Sequence, residues 1–272
     1  MLKKLVLFFA LIHASISFAE DRVAFITGGA SGIGAATVRE FVRQNIKVGF
    51  LDLDRSKGRE LASCFKPEEV LFIEGDVSKV SDIQNAIKQT VETFGHLNII
   101  FANAGIYDTK NLLELTEEAW HHLININLKG VVFTVKEGLP YLIKNGGGSI
   151  VLMGSDQCFI AKRNSCIYGM SKGAIAQFTK TTALDFGDKN IRVNAVCPAT
   201  IRTPLAENVF SYYATASQVD VEDLWKAEAD KYLLKKYGTS EDVARLVYFL
   251  ASDNASFITG SLYLIDGGLT IY

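Results

Sequence analysis

The segment Thr27-Gly28-Gly29-Ala30-Ser31-Gly32-Ile33-Gly34 stands between a short apolar run at 23–27 and a helical pattern at 32–45. Glycines allow a sharp turn and a close approach of the backbone to a ligand. The free amides at the start of a helix attract phosphate groups. A glycine-rich turn in this position is typical of a dinucleotide site, although any tight strand-to-helix turn can use one. We therefore expect a pyrophosphate to lie against Gly28, Ser31, Gly32, Ile33 and Gly34.

Seven apolar runs of strand length are spread along the chain, at 23–27, 47–51, 70–74, 97–102, 149–153, 192–196 and 261–265. Helical patterns at 32–45, 79–94, 117–144 and 165–186 lie between them and are long enough to connect parallel strands. Nearly continuous apolar strands are typical of a sheet that is covered on both faces. The sequence therefore predicts an α/β fold, a single doubly wound domain with a seven-stranded parallel sheet and helices on both faces.

Two segments stand apart from this alternation. Residues 1–19 combine Lys3 and Lys4 with an apolar run that ends in small residues, which is typical of a signal-like or anchor segment before a folded domain at 20–272. A helix over that run would be about 22 Å long, short of the ~30 Å hydrocarbon layer, so we expect no full membrane span. Export and a cytoplasmic location both stay open. Residues 198–237 form a long irregular stretch and are predicted to close over a site as a lid.

The composition is that of an ordinary folded protein and excludes several function classes. The 272 residues are 49% hydrophobic, and 28 Lys and Arg face 30 Asp and Glu, for a net charge of -2. Without a basic excess the chain has no electrostatic footprint for nucleic acid, and we expect no nucleic-acid partner. The four cysteines and four histidines lack the spacing of metal ligands, so we expect no metal site.

An acidic residue, Asp52, follows the second apolar run. A carboxylate at this place can accept hydrogen bonds from the ribose hydroxyls of an adenosine, and it repels a 2'-phosphate. Ser31 in the glycine turn offers no cation to attract such a phosphate. These features favour NAD as the cofactor over NADP, although Arg55 is close enough in the sequence to weaken the preference. Alone, Asp52 is equally typical of an exposed loop.

A second group of residues, Tyr168, Lys172 and Ser155, points to proton transfer. Tyr168 and Lys172 are four residues apart, so they lie on one face of the helix predicted at 165–186. A neighbouring ammonium stabilises a phenolate, and we expect it to lower the pKa of Tyr168. Such a phenol can take the proton of an alcohol or return it to a carbonyl, while Ser155 holds the substrate oxygen. An isolated Tyr-Lys pair would instead be typical of a surface helix.

The residues together resemble the short-chain dehydrogenase/reductase family over 22–268. The matching positions are the glycine turn, Asp76-Val77, Asn103-Ala104-Gly105, Asn127, Ser155, Tyr168 with Lys172, and Asn194 with Pro198 and Thr203. The resemblance implies a Rossmann-type fold that binds NAD(P). The chain departs from the family at Ala199, where a glycine is usual and a Cβ restricts positive φ.

The resemblance also implies individual roles. Asp76 and Val77 would contact the adenine, Asn103 would pack beside the cofactor, and Ile201 and Thr203 would bind the nicotinamide amide. Lys172 would hold the nicotinamide ribose, and Asn127 would keep a water that links Lys172 to solvent. The family further implies a homotetramer assembled through the helices at 117–144 and 165–186. Gln157, Cys158 and Phe159 are expected to line the substrate pocket.

The function that follows is an NAD-dependent oxidoreductase that interconverts a secondary alcohol, cyclic alcohols included, and its ketone. Tyr168 acts as the general acid/base, and the partner is a small-molecule alcohol or ketone. One alternative is an NADPH-dependent 3-oxoacyl-carrier reductase. An alternative of another class is an inactive nucleotide-sensing or scaffold protein, because a fold does not guarantee activity.

Overall fold

The described part of the chain, residues 22–271 of a computed structural model, begins at the strand that precedes the glycine turn. The predicted leader at 1–19 lies outside the described residues. The elements are β1 (Val23–Thr27), α1 (Gly32–Arg43), β2 (Lys47–Asp52), α2 (Arg55–Ala62), β3 (Val70–Glu74), α3 (Val80–Phe94), β4 (Ile99–Ala102), α4 (Glu117–Ile124), α5 (Val131–Lys144), β5 (Gly148–Met153), α6 (Cys166–Phe186), β6 (Ile191–Pro198), α7 (Pro204–Ser217), α8 (Val221–Asp230), α9 (Ser240–Ala251) and β7 (Leu262–Ile265).

The strands form one seven-stranded sheet in the order β3-β2-β1-β4-β5-β6-β7. Every neighbouring pair is parallel, as in the register of Phe25 with Gly49 on one side and with Ile100 on the other. The predicted α/β class and seven-stranded parallel sheet are confirmed. The strand order reverses direction between β1 and β4, and ligands of open α/β sheets bind beyond the carboxyl ends of strands at such a point.

Alternate residues of the strands enter two cores, one on each face of the sheet. Along β1, Val23 and Phe25 belong to the core that includes Ile83 and Ile87 of α3. Ala24 and Ile26 belong to the core that includes Phe41 of α1 and residues of α9. All five residues of β1 are buried. Four of its five residues are apolar, because both faces of the strand are covered by helices.

The helix predicted at 117–144 is interrupted. α4 ends at Ile124, a π-helical segment follows over Asn125–Gly130, and α5 begins at Val131. Gly130 packs against Val77, since a Cβ on Gly130 would lie 3.1 Å from the Val77 carbonyl oxygen. π-Helical insertions in α-helices often occur at functional sites. Here the segment contains Asn127.

The prediction that 198–237 is irregular is wrong, because α7 and α8 lie within it. Trp225 of α8 is buried and stacks on Phe210 of α7 with ring centroids 4.0 Å apart. The Arg202 guanidinium bonds to Glu207 of α7, to Glu222 of α8 at 2.6 Å, and to the hydroxyl of Tyr237 at 2.7 Å. The segment is therefore a packed helical unit, and its closure as a lid stays a prediction.

Among residues 22–271, no helix combines the length and the apolar character that crossing a membrane requires.

Candidate active site

A cavity of about 1110 Å³ opens where the carboxyl ends of the central strands meet the α7–α8 unit. Ligand pockets commonly measure ~300–1,000 Å³, so this one is large enough for a dinucleotide fragment and a small substrate together. Most of the predicted site residues line it: Gly28, Ser31, Gly32, Ile33, Asp52, Asp76, Val77, Asn103, Ser155, Tyr168, Lys172, Ile201 and Thr203. Gly34 and Asn127 do not line the cavity. Gly34 lies behind Gly28, and Asn127 lies behind Ile106.

The glycine turn forms a cradle that side chains would fill. Gly28 has a φ of 66°, and a Cβ on it would lie 2.9 Å from Cα of Ala104. A Cβ on Gly34 would lie 1.9 Å from the Gly28 carbonyl oxygen. Ser31 precedes α1 without a side-chain cap, so the first amides of the helix are available to an anion. The cradle fits a pyrophosphate.

Asp52 is held at the cavity by backbone amides. Its Oδ2 accepts from the Ala30 amide and its Oδ1 from the Asp54 amide, both at 2.9 Å. A carboxylate has about four acceptor sites, so ribose hydroxyls can still bind it. The nearby guanidinium of Arg55 pairs with Glu74 at 3.2 Å.

Asp76 and Val77 follow β3 and form the neighbouring wall. The Asp76 Oδ1 accepts from the Ser78 amide at 2.8 Å, and the Asp76 amide donates to Asp82 Oδ2 at 3.0 Å. These bonds fix the turn after β3 beside the position expected for an adenine.

Asn103 joins β4 to the glycine turn. Its Nδ2 donates to the carbonyl oxygens of Thr27 and Gly28, each at 3.0 Å. The backbone amides of Asn103 and Ala104 both donate to the Thr27 hydroxyl, at 3.1 Å and 3.2 Å. Asn103 thus holds the cradle in shape as well as lining the cavity. The glycine-rich segment begins with Thr27, but the sequence pattern does not reveal this role of its hydroxyl.

Ser155 begins a short turn after β5 that is tied to the start of α6. The Ser155 Oγ accepts from the Gln157 amide at 3.2 Å. The Gln157 side chain in turn accepts from the hydroxyl of Ser165, the residue before α6, at 2.9 Å. This connection places Ser155 beside Tyr168, one turn into the helix.

Tyr168 and Lys172 lie on one face of α6, as predicted. Lys172 is buried, its Nζ donates to the Met153 carbonyl oxygen at 2.7 Å, and it lies 5.5 Å from the centre of the Tyr168 ring. Burial lowers the pKa of Lys172 to about 8. A group with that pKa can release and recover a proton near neutral pH.

The expected lowering of the Tyr168 pKa is wrong in direction. Burial raises the pKa of Tyr168 above its ordinary value and outweighs a hydrogen bond with Ser155, which lowers it. The physical reason is that enclosure by protein disfavours the charged phenolate. Lys172 is desolvated as well, and its ammonium is bonded to the Met153 carbonyl.

The side chain of Asn127 forms two hydrogen bonds with the backbone of Ile106. Its Oδ1 accepts from the Ile106 amide and its Nδ2 donates to the Ile106 carbonyl oxygen, both at 2.8 Å. The π-helical segment therefore positions the loop after β4, and Ile106 and Ile126 rather than Asn127 line the cavity. The water relay expected of Asn127 stays a prediction.

Ile201 and Thr203 close the cavity from the β6 side. Thr203 precedes α7 and its hydroxyl accepts from the Ala206 amide at 3.3 Å. Its methyl group would lie 3.3 Å from a Cβ on Gly32, so the two residues pack closely. Ala199 does not have a positive φ, and the loss of the family glycine there causes no strain.

Two expected pocket residues lie elsewhere. Cys158 packs against the core on the face of the sheet that α6 covers, and Phe159 is about half exposed outside the cavity. Gln157 lines the cavity as expected. Residues that sequence reasoning missed also line it: Tyr107, Asp156, Lys162, Arg163, Leu205, Val209, Phe210 and Leu224. They come from loops and from α7 and α8, where no motif marks them.

Similarity to known proteins identifies the family of the chain. A family described as enoyl-(acyl carrier protein) reductase matches residues 28–270. A solved structure of a short chain dehydrogenase family protein from Francisella tularensis is 36% identical, covers 92% of this chain and 99% of its own, and superposes with a TM-score of 0.82. The chain belongs to the short-chain dehydrogenase/reductase family. It is an oxidoreductase of that family with an NAD(P)-binding Rossmann fold.

Other members of the short-chain dehydrogenase/reductase family differ in the substrates they are named for. The 3-oxoacyl-(acyl-carrier-protein) reductase of Thermotoga maritima is 35% identical over 93% of this chain and 99% of its own length. The 2,5-dichloro-2,5-cyclohexadiene-1,4-diol dehydrogenase of Sphingobium indicum is 32% identical over 92% and 96%. A 3-ketoacyl-(acyl-carrier-protein) reductase from Brucella melitensis, solved with NADH, is 26% identical with a TM-score of 0.83 and covers 92% of this chain and 98% of its own.

Proposed function

We propose that this short-chain dehydrogenase/reductase uses NAD to interconvert a secondary alcohol, cyclic alcohols included, and its ketone. The observation that carries the proposal is that the cradle at Gly28–Gly34 and the Tyr168–Lys172–Ser155 group open into one cavity. A nucleotide held in the cradle and a substrate oxygen held by Tyr168 would therefore lie in the same space.

The chain's own groups supply binding and proton transfer. In the oxidation direction, Tyr168 first loses its own proton to solvent, and its phenolate oxygen then accepts the hydroxyl proton of the alcohol; in reduction the Tyr168 phenol gives its proton to the carbonyl oxygen. Lys172 holds a proton that it can exchange, because burial places its pKa at about 8. The nicotinamide, when bound, accepts or supplies the hydride. The apolar residues Ile106, Leu205 and Val209 line the cavity beside these groups.

Three features support NAD over NADP. Asp52 brings a negative charge to the place where a 2'-phosphate would lie. Arg55, the nearby cation, is paired with Glu74. Ser31 in the cradle carries no charge. A cofactor with a free 2'-hydroxyl therefore matches this wall better.

The second candidate is a 3-oxoacyl-carrier reductase. The 35% identity to the Thermotoga maritima reductase favours it. The Brucella melitensis 3-ketoacyl reductase was solved with NADH, so an acyl-carrier substrate is compatible with that cofactor in a relative. The acidic wall at Asp52 is the feature that places NADPH-dependent reduction second.

The test is a panel of secondary alcohols, cyclic diols and their ketones, together with a 3-oxoacyl thioester, each assayed with NAD(H) and NADP(H). Reduced-nicotinamide absorbance is the readout. We expect turnover of an alcohol or ketone with kcat/KM at least about tenfold higher for the NAD form. Preferred turnover of the thioester with NADPH would support the second candidate. Nucleotide binding without turnover of any compound would support the inactive sensor.

A further inference from the structure

A buried carboxylate, Asp156, stands beside the serine of the site. Its side chain is 1% exposed. Its Oδ1 accepts from the Ser155 hydroxyl at 2.8 Å. Its Oδ2 accepts no hydrogen bond of good geometry among the described residues and faces the Lys162 ammonium at 2.6 Å. A buried charge is costly unless it is paired, and here the Lys162 ammonium is the partner of the Asp156 carboxylate.

The hydrogen bond between Ser155 and Asp156 connects this carboxylate to the candidate site. A hydroxyl has one hydrogen to donate and two lone pairs to accept with. The hydrogen of Ser155 goes to Asp156, since a carboxylate paired with an ammonium can only accept. The Gln157 amide occupies one lone pair. Ser155 also forms a hydrogen bond with Tyr168, so it links the carboxylate of Asp156 to the phenol.

The same carboxylate acts on Tyr168 through its charge. The groups that face the phenol are Ser155, Asp156, Tyr107 and Cys158, with Lys172 on the same helix. Among them Asp156 is the carboxylate, and its charge opposes formation of the phenolate. Lys162 compensates that charge from the loop after the turn, with a third of its side chain exposed to the cavity mouth.

We propose that Asp156, hydrogen-bonded to Ser155 and balanced by Lys162, is a positioning residue that sets the pH range in which Tyr168 accepts a proton. The proposal rests on the proposed function, because it assigns Asp156 and Lys162 to the same site. It predicts opposite effects for the loss of the two partners. If the ion pair only held the loop in place, loss of Asp156 and loss of Lys162 would change the activity in the same direction.

The experiment measures kcat/KM for alcohol oxidation against pH with the best alcohol of the panel. Asp156→Asn keeps the shape and removes the negative charge, so the ascending limb should move about half to one unit toward lower pH. Lys162→Met leaves the carboxylate uncompensated, so the limb should move toward higher pH by a similar amount. The double variant should lie between the two single variants. Shifts of the same sign, or a lower kcat with an unmoved limb in both, would overturn the proposal.

The chain offers a matched control pair at the opposite end of the sheet. Asp188 and Lys189 are also an Asp-Lys ion pair, at 2.9 Å, but both are exposed and precede β6. Asp188→Asn and Lys189→Met should leave the pH profile in place. This outcome would exclude a general effect of removing one charge.

A second readout does not require turnover. The thiol of Cys158 also responds to the charge of Asp156: a hydrogen bond with Cys197 is the largest cause that lowers the pKa of Cys158, while the charge of Asp156 acts to raise it. The pH at which iodoacetamide alkylates Cys158 half-maximally should fall in Asp156→Asn and rise in Lys162→Met. The exposed Cys64 serves as the internal reference. If these shifts occur and no compound of the panel is oxidised, the proposed function fails while the charge assignment of Asp156 and Lys162 stands. If they do not occur, the charge assignment fails whatever the panel shows.

Discussion

Tyr107 lies edge-on against Tyr168, with ring centroids 4.7 Å apart and planes inclined at 65°. Edge-to-face contacts of this kind are favourable and restrict the orientation of both rings. Tyr107 follows the loop that Asn127 fixes through Ile106, so the wall opposite α6 is also held in place. The phenol of Tyr168 is consequently preorganised before a substrate binds.

Replacing Tyr168 by phenylalanine should remove this proton transfer while leaving the ring contact with Tyr107. We expect kcat to fall by about 100-fold or more, the size of a general acid/base contribution. The Kd for NADH, measured by fluorescence titration, should change less than about threefold. Tyr248→Phe, in α9 against Phe41, is the control and should retain full turnover. Undiminished turnover of Tyr168→Phe would refute the assigned role.

The cofactor preference should depend on the charges around Asp52. Asp52→Asn removes the repulsion of a 2'-phosphate, and Glu74→Gln releases Arg55 from its ion pair. The double variant should therefore lower the ratio of kcat/KM for NAD to that for NADP by about ten- to a hundredfold. Glu74→Gln alone should have the smaller effect. An unchanged ratio in the double variant would place the 2'-position away from this wall.

The cradle can be tested with two glycines that differ in surroundings. Gly34→Ala forces the Gly28 carbonyl to move, and we expect NADH binding at least about tenfold weaker, with a loss of about 1–3 kcal/mol in the free energy of unfolding. A Cβ on Gly173, in α6, would have no described atom outside the local helical backbone within 4 Å, so Gly173→Ala should stabilise the protein by about 0.5–1 kcal/mol. Denaturant unfolding and fluorescence titration measure both effects. Equal behaviour of the two variants would contradict the close packing of the cradle.

Glu228 gives an expected pH dependence of stability. Its carboxylate accepts from Thr200 at 2.6 Å, from Tyr232 at 2.9 Å and from Lys231 at 2.6 Å. Burial acts to raise its pKa, but these hydrogen bonds prevail and the pKa is lowered from 4.5. A lowered folded-state pKa stabilises the native protein above the unfolded value and loses that stabilisation as the pH falls. Glu228→Gln should therefore cost about 1–3 kcal/mol at pH 7, and the difference from the unaltered protein should shrink below about pH 4.5 in urea melts. A difference that stays constant from pH 7 to pH 3 would contradict this account.

We also propose the homotetramer that the family resemblance implies. Light scattering should give four times the mass of one chain. Leu184 on α6 is 84% exposed in the single chain, and Leu184→Arg should lower that mass if α6 lies in an interface. A monomeric mass for the unaltered protein would end the proposal.

The parts of the fold that the sequence predicts are those with a simple local cause. β1 and β3 have the predicted bounds because continuous apolar runs end at turn residues. The sequence does not predict α2, α7 and α8, since their surfaces mix charged and small residues and their stability comes from contacts such as Trp225 on Phe210. The π-helical segment at Asn127 depends on the backbone of Ile106, a contact between distant residues.

The candidate site also has features that the sequence predicts and features that it does not. The cradle, Asp52 and the Tyr168–Lys172 pair follow from spacing along one strand or one helix. The protonation behaviour of Tyr168 does not, because it depends on how completely the fold encloses the ring. Sequence reasoning misses Asp156 for a similar reason, since its partner Lys162 becomes a neighbour only when the chain turns back after β5.

The links from Arg202 to Glu207, Glu222 and Tyr237 join both ends of the α7–α8 unit to each other. Residues 202–237 can therefore be regarded as an exchangeable cassette. A chimaera that receives this cassette from a relative with another substrate would keep its nucleotide cradle, which lies on other elements, and would acquire a different wall opposite Tyr168. Such an exchange would leave Ile106, Tyr107 and Gln157, which also line the cavity, unchanged.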